Sequence, residues 1–131
     1  MKGPTATLTH LALLLARVLL SALFIQSGFA KLTSYAYIVG YFHKLGLPFP
    51  PAAWAVAVAM ELGGGLLILA GYRARLVAPL MAVFTVATAL IVHYHRGDAG
   101  QMLQFYKNLA IAGGFLQLAA TGPGRFAVGR S

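Results

Sequence analysis

The chain has 131 residues, of which 60% are hydrophobic and only 9% are charged, and its mean hydropathy is +0.79. An ordinary soluble domain carries about 25% charged residues, and a disordered chain is poor in apolar residues, so both classes are excluded. The formal net charge of +8 does not indicate nucleic-acid binding, because the basic residues are scattered between apolar runs and form no single stripe. The sequence contains no cysteine, which excludes disulfides, thiolate metal sites and Fe–S clusters built from its own side chains.

Four apolar segments predict four membrane-spanning helices, at about residues 8–30, 52–72, 76–94 and 103–121. Each is close to the roughly 20 residues that a helix needs to cross a bilayer, and none alternates as membrane strands do. The first segment follows Lys2 like a secretory signal, but Arg17 interrupts it and no cleavage site follows, so we expect it to remain as a span. The predicted fold is all-α: one domain, residues 1–131, forming an integral membrane four-helix bundle.

The breaks between these segments carry ordinary helix-ending residues. Prolines at positions 48, 50 and 51 precede the second span, and proline stops a helix because it lacks an N–H group. The short turn Gly71-Tyr-Arg-Ala-Arg75 makes the second and third spans antiparallel neighbours. Aromatic residues concentrate in the first loop, which predicts a segment lying on the outer membrane surface: Tyr35, Tyr37, Tyr41, Phe42, Phe49 and Trp54.

Basic residues predict the orientation, because cytoplasmic loops are enriched in lysine and arginine. One side of the predicted bundle carries Lys2, Arg73, Arg75, Arg125 and Arg130. The opposite side carries Lys31, Lys44, Arg96 and Lys107, offset by Asp98. The excess on the first side predicts that both termini lie in the cytoplasm.

Arg17 and Glu61 are ionisable residues inside predicted spans. Such residues are costly in lipid and usually face one another inside a bundle. Their similar depths in antiparallel spans predict an Arg17–Glu61 ion pair, which either fixes helix register or forms a ligand or proton site. Arg17, Ser21, Gly28 and Lys31, with Phe24 between them, share one helix face, so that face should point inward. Gly63-Gly-Gly65 predicts close helix packing, with a ligand cleft as the alternative.

A second polar group is predicted at the outer depth of the membrane, formed by Gln26, Lys31, Gln104, Lys107 and Asn108. These side chains could hydrogen-bond a polar headgroup such as that of a quinone. Alternatively, Lys107 extends to the lipid headgroups. The four histidines indicate neither a metal site nor haem, because His93 and His95 point about 200° apart on a helix, and all four are interpreted as interfacial. No catalytic residue is predicted.

Taken in order, these segments resemble the DoxX family of small four-helix membrane proteins. The resemblance rests on Arg17, Ser27-Gly-Phe-Ala-Lys-Leu32, Gly46-Leu-Pro-Phe-Pro50, Glu61-Leu-Gly-Gly-Gly65, Gly71-Tyr-Arg-Ala-Arg75, Gln104-Phe-Tyr-Lys-Asn108, Gly113-Gly114 and Gly122-Pro-Gly124. It implies a multi-pass protein of a bacterial inner membrane, with a polar core of Arg17, Lys31, Glu61, Lys107 and Asn108. Members often end with an acidic residue, whereas residues 125–131 contain none.

The family is associated with quinone-linked oxidation of sulfur compounds and with redox-stress complexes. The resemblance therefore implies a small integral subunit of a redox complex that holds a quinone headgroup at its polar core. Two alternatives stay open: a non-catalytic structural or assembly subunit, and a small oligomeric transporter. The expected partners are the lipid bilayer and either other membrane proteins or further copies of the chain, without nucleic acid. A free-standing enzyme is the least favoured interpretation, because the sequence offers neither a nucleophile nor a metal cluster.

Overall fold

The computed structural model describes residues 3–129, and these residues form five helices. They are α1 (Pro4–Leu32), α2 (Tyr35–Lys44), α3 (Pro50–Ala70), α4 (Ala74–His93) and α5 (Ala99–Thr121). The prediction of an all-α fold is confirmed. The observed helices extend past several predicted span ends, as at the start of α1 and α5, because a helix continues through polar residues that a hydropathy pattern leaves out.

The helix ends follow local chemistry. Prolines occupy the first turns of α1 and α3, where a missing N–H group is harmless. The Asp98 carboxylate accepts a hydrogen bond from the Gln101 N–H at 3.1 Å and caps α5. Helix α3 ends at Gly71, whose φ of +77° is left-handed, so that the Tyr72 N–H bonds back to the Leu67 carbonyl at 3.0 Å. The turn between α3 and α4 is therefore as tight as predicted.

Three helices, α1, α3 and α4, are long and apolar enough to cross a membrane. Helix α5 has 23 residues, about 34 Å at 1.5 Å per residue. Its first half carries Gln101, Gln104, Lys107 and Asn108, which lower its hydropathy. That α5 forms a fourth span therefore stays a prediction.

The distribution of burial is that of a membrane protein. On α1, Arg17 is 0% exposed and Ser21 is 1% exposed, whereas Leu8 and Leu19 are 67% and 66% exposed. Such a pattern would be unfavourable in water, where large exposed apolar patches are rare. It is the expected pattern where lipid surrounds the bundle and polar groups must find partners inside it.

The core lies where α1, α3, α4 and α5 meet. The Phe24 and Phe115 rings pack at 5.4 Å between centroids. Ala78, Ala82 and Ala112 are buried between α4 and α5, and such small residues let helices approach closely in lipid.

Glycines define the register of α1 against α3. A Cβ atom on Gly28 would lie 2.5 Å from the Leu62 nitrogen, and one on Gly65 would lie 2.9 Å from the Ile25 side chain. The predicted role of the Gly63–Gly65 run in close packing is therefore confirmed for Gly65. Gly63 has open space around it.

Residues 122–129 fold back over the end of the bundle that carries the first turns of α1, here named the terminal end. The Val128 N–H donates to the Ala70 carbonyl at 2.9 Å. The Arg125 N–H donates to His10 Nδ1 at 3.0 Å, and its guanidinium donates to the Thr7 hydroxyl at 2.7 Å. The cytoplasmic location of this end stays a prediction, and two residues used for it, Lys2 and Arg130, lie outside the described residues.

Candidate functional site

A cavity of about 360 Å³ opens at the opposite end of the bundle, here named the cavity end. It lies between the helices, and α2 contributes one of its walls. All five helices line it, with Leu23, Phe24, Ser27, Lys31, Tyr37, Ile38, Tyr41, Phe42, Ala57, Glu61, Phe84, Thr88, Val92, His93, Gln104, Lys107 and Asn108. Its volume falls in the range of about 300–1,000 Å³ typical of small-molecule sites.

An ion pair forms the α1–α3 side of the cavity. The Lys31 ammonium lies 3.1 Å from Glu61 Oε1 and donates a second hydrogen bond to the Ser27 hydroxyl at 2.9 Å. The Glu61 side chain is 8% exposed and that of Lys31 is 22% exposed. Trp54 holds the backbone here, since its indole N–H donates to the Lys31 carbonyl at 2.8 Å. The pair is therefore both screened from solvent and anchored.

Two π-helical turns border the cavity. One spans Ala59–Gly64 in α3 and contains Glu61, and the other spans Ala89–His93 and ends α4. A π turn inserts an extra residue into a helix and redirects the side chains around it, and such turns are frequent at functional sites. Here they place Glu61 and His93 on the cavity wall.

The α4–α5 side carries amide and hydroxyl groups. The Asn108 amide donates to the Thr88 hydroxyl at 3.0 Å and to the Thr85 carbonyl at 3.3 Å. His93 Nδ1 lies 2.8 Å from Gln101 Oε1. Within residues 3–129, the side chains of Gln104 and Lys107 have no hydrogen-bonding partner, so their donors are available to a ligand.

The predicted Arg17–Glu61 pair is wrong, because Glu61 pairs with Lys31. The reason is register: Gly28 lies beside Leu62, so the level of Glu61 on α1 is about twelve residues, or about 18 Å, beyond Arg17.

Arg17 instead lies near the terminal end, at the level where α3 finishes. Its guanidinium donates to the Leu69 carbonyl at 3.0 Å and to the Phe126 carbonyl of the folded-back tail. The Leu69 carbonyl belongs to the last turn of α3, where carbonyls lack intrahelical partners and the helix dipole favours a cation. Gly71 and Ala127 lie close to the group, and Arg17 is fully buried; within the described residues its Nε has no hydrogen-bond partner.

The cavity brings together five of the seven candidate site residues, namely Lys31, Glu61, Gln104, Lys107 and Asn108. Gln26 is exposed on α1 and does not line the cavity. The inward-facing stripe of α1 is as predicted, since Arg17, Ser21, Phe24 and Gly28 are all buried.

Sequence reasoning missed five polar residues of the cavity wall: Ser27, Tyr37, Tyr41, Thr88 and His93. Ser27 was visible only as the first residue of a family motif. The tyrosines are four residues apart and hence share a face of α2, which was the available signal, although as interfacial aromatics they were assigned to the membrane surface. Thr88 lies in a continuous apolar run, and His93 lies at its end. No pattern in the sequence separates these two positions from lipid-facing ones.

Known proteins resemble this chain over most of its length. The DoxX family model matches residues 12–94. Inner membrane protein YqjF of Escherichia coli (strain K12) is 40% identical over 123 residues, covering 94% of this chain and 93% of the relative. Inner membrane protein YphA of the same organism is 41% identical over 123 residues, covering 90% and 88%. No solved structure matches the chain significantly.

The two relatives match α5 as well, because they cover 94% and 90% of this chain, whereas the family model ends at residue 94. They confirm the resemblance inferred from the motifs and the prediction of a multi-pass inner membrane protein. With its apolar helices, its inward-facing polar residues and these relatives, the chain belongs to the DoxX family.

Proposed function

We propose that the cavity binds the headgroup of a membrane quinone and that the protein serves as the quinone-holding integral subunit of a redox complex. The observation that carries the proposal is the composition of the cavity wall. Leu23, Phe24, Ile38 and Phe84 supply an apolar surface for a ring or isoprenoid unit. The same wall also carries unpartnered donors for the carbonyl oxygens of a quinone.

The donors fit an acceptor ligand. All four residues that carry free donors line the cavity, and among residues 3–129 their side chains make no hydrogen bond within the protein: Tyr37, Tyr41, Gln104 and Lys107. Tyr41 is half-buried, whereas the other three are exposed and so accessible to a ligand. The one carboxylate of the wall, Glu61, is taken by Lys31. A quinone presents two carbonyl acceptors on an apolar ring, which suits this set. When bound, it would supply two-electron redox chemistry, and the residues of this chain would hold and orient it.

The partner complex follows from the same composition. Because the chain has no cysteine, it cannot ligate an Fe–S cluster with its own thiolates. Electrons for a bound quinone would therefore come from another protein or from a bound cofactor, and we propose the former. Purification in mild detergent, with mass spectrometry of co-eluting proteins, tests this part. A peak containing only this chain and lipid would favour a self-contained oligomer, the transporter alternative.

The binding proposal is tested by fluorescence, because Trp54 is the only tryptophan and bonds to the backbone of Lys31 beside the cavity. A short-chain ubiquinone titrated into nanodiscs should quench Trp54 with saturation. The double variant Gln104→Leu, Tyr41→Phe removes two donors of about 1 kcal/mol each, so affinity should fall about 30-fold.

The matched control is Gln26→Leu, Tyr72→Phe, which makes the same changes at exposed positions outside the cavity. It should bind like the wild type. Quenching that never saturates, or that is equal in both double variants, would contradict quinone binding in the cavity. It would leave a structural or assembly role.

A further inference from the structure

The charges of the cavity end do not balance. The chain has two acidic residues, Glu61 and Asp98, and both lie at this end. Glu61 pairs with Lys31 at 3.1 Å. Asp98 lies in the loop before α5, where its carboxylate caps that helix through the Gln101 N–H at 3.1 Å. Neither carboxylate is left over for another cation of the cavity.

Lys107 is that other cation. It lies on α5 with Gln104 and Asn108, and all three line the cavity. In the part of the chain that the structure describes, Lys107 makes no hydrogen bond and no ion pair. Because Glu61 and Asp98 are engaged elsewhere, an anion that pairs with Lys107 would come from outside the chain. Lys107 is exposed, so its ammonium is accessible to a ligand that enters the cavity.

We propose that the cavity selects an amphiphile with an anionic oxygen headgroup, and that Lys107 is the residue that recognises the negative charge. The inference rests on the proposed function, because it assumes that the cavity is a ligand site. The headgroup would accept a charge-assisted hydrogen bond from Lys107, which is stronger than one from a neutral donor. The tyrosine hydroxyls of α2 would donate to the remaining oxygens. An acidic quinone and an anionic phospholipid both offer this chemistry.

The test compares two probes of nearly equal shape in phosphatidylcholine nanodiscs. 2-Hydroxy-1,4-naphthoquinone is ionised at neutral pH, and 1,4-naphthoquinone is neutral. Quenching of Trp54 gives the affinity of each. We expect the wild type to bind the ionised probe about tenfold more tightly, as a charge-assisted contact implies. Lys107→Gln should abolish this preference, because it lowers the affinity for the ionised probe by about tenfold more than the affinity for the neutral probe.

The matched control is Arg96→Gln, which removes an exposed positive charge at the cavity end from a residue that does not line the cavity. It should keep the wild-type preference for the ionised probe. Equal binding of the two probes by the wild type, or an equal loss of both in Lys107→Gln, would overturn the inference while leaving quinone binding intact. Failure of both probes to saturate would instead overturn the proposed function.

A final titration distinguishes the two anionic ligands, an acidic quinone and an anionic phospholipid. Phosphatidylglycerol is added to the nanodiscs, and the ionised probe is titrated again into the wild type and Lys107→Gln. Competition that disappears in Lys107→Gln supports the anion site and identifies the lipid headgroup as its occupant. If phosphatidylglycerol leaves the binding of the ionised probe by the wild type unchanged, the result supports an acidic quinone as the occupant of the anion site.

Discussion

Substituting Gly28 by alanine should separate α1 from α3 at the edge of the cavity. A Cβ atom at this position would lie 2.5 Å from the Leu62 nitrogen, 2.9 Å from its Cβ and 3.0 Å from its Cα. Ordinary carbon contacts are about 3.5–4.0 Å, so the helices would have to move apart by about 1 Å. Backbone atoms cannot turn aside as the end of a flexible side chain can.

The expected loss of stability follows from these distances. Overpacking of a close contact costs about 1–3 kcal/mol. Alanine regains about 0.5–1 kcal/mol because it is a better helix former than glycine. We therefore expect Gly28→Ala to destabilise the protein by about 1–2 kcal/mol. Because Lys31 lies one turn further along α1, its contact with Glu61 should lengthen as well.

The assay is unfolding in mixed detergent micelles, followed by the loss of helical circular dichroism. Gly113→Ala is the matched control, since a Cβ on this α5 residue meets nothing within 4 Å. It should be neutral or stabilising by up to about 1 kcal/mol. If Gly28→Ala proved as stable as Gly113→Ala, the close contact between α1 and the π turn of α3 would be refuted.

Three further predictions concern the polar contacts. Arg17→Leu should release residues 122–129 from the end of α3, because the Arg17 guanidinium donates hydrogen bonds to both segments. A reporter cysteine introduced by Ala127→Cys should then react with maleimide at least about tenfold faster, since the lost contact contributes more than about 1.4 kcal/mol. Unchanged labelling would contradict this. Gly71→Ala should expose the same cysteine, because its φ is +77° and a Cβ would lie 2.6 Å from Ala127 and against Arg17; labelling as slow as in the wild type would show that this turn gives way freely. Glu61→Gln should destabilise the protein by about 1–3 kcal/mol in detergent unfolding, since it leaves the Lys31 charge uncompensated. Adding Lys31→Gln should restore part of this stability, and a double variant no more stable than Glu61→Gln would argue against the ion pair.

The order of the helices was predictable because each element depends on local sequence. Apolar runs, proline starts and the glycine at position 71 are properties of single segments, and the observed helices follow them. The grouping of Gln104, Lys107 and Asn108 near Lys31 was also predictable, because depth in the membrane follows from position along each helix.

Register between helices was not predictable in the same way. Depth estimates placed Arg17 level with Glu61. The tight contact between Gly28 and Leu62 instead places Glu61 level with a part of α1 about twelve residues beyond Arg17. The glycines were visible in the sequence, but the partner of each was not. The partners of Arg17 are backbone carbonyls, which every residue carries, so no side-chain pattern marks them.

The two acceptors of the Arg17 guanidinium have a consequence for biosynthesis. They lie 52 and 109 residues further along the chain, so α1 is made long before either exists. An arginine within a span opposes membrane insertion, by up to about 2.5–3.5 kcal/mol at the helix centre, and the leucines around it must offset this cost alone. The first helix therefore enters the bilayer with a charge that is satisfied only after the last helix has been synthesised. Assembly of this small bundle is therefore complete only once residues 122–129 have folded over the terminal end.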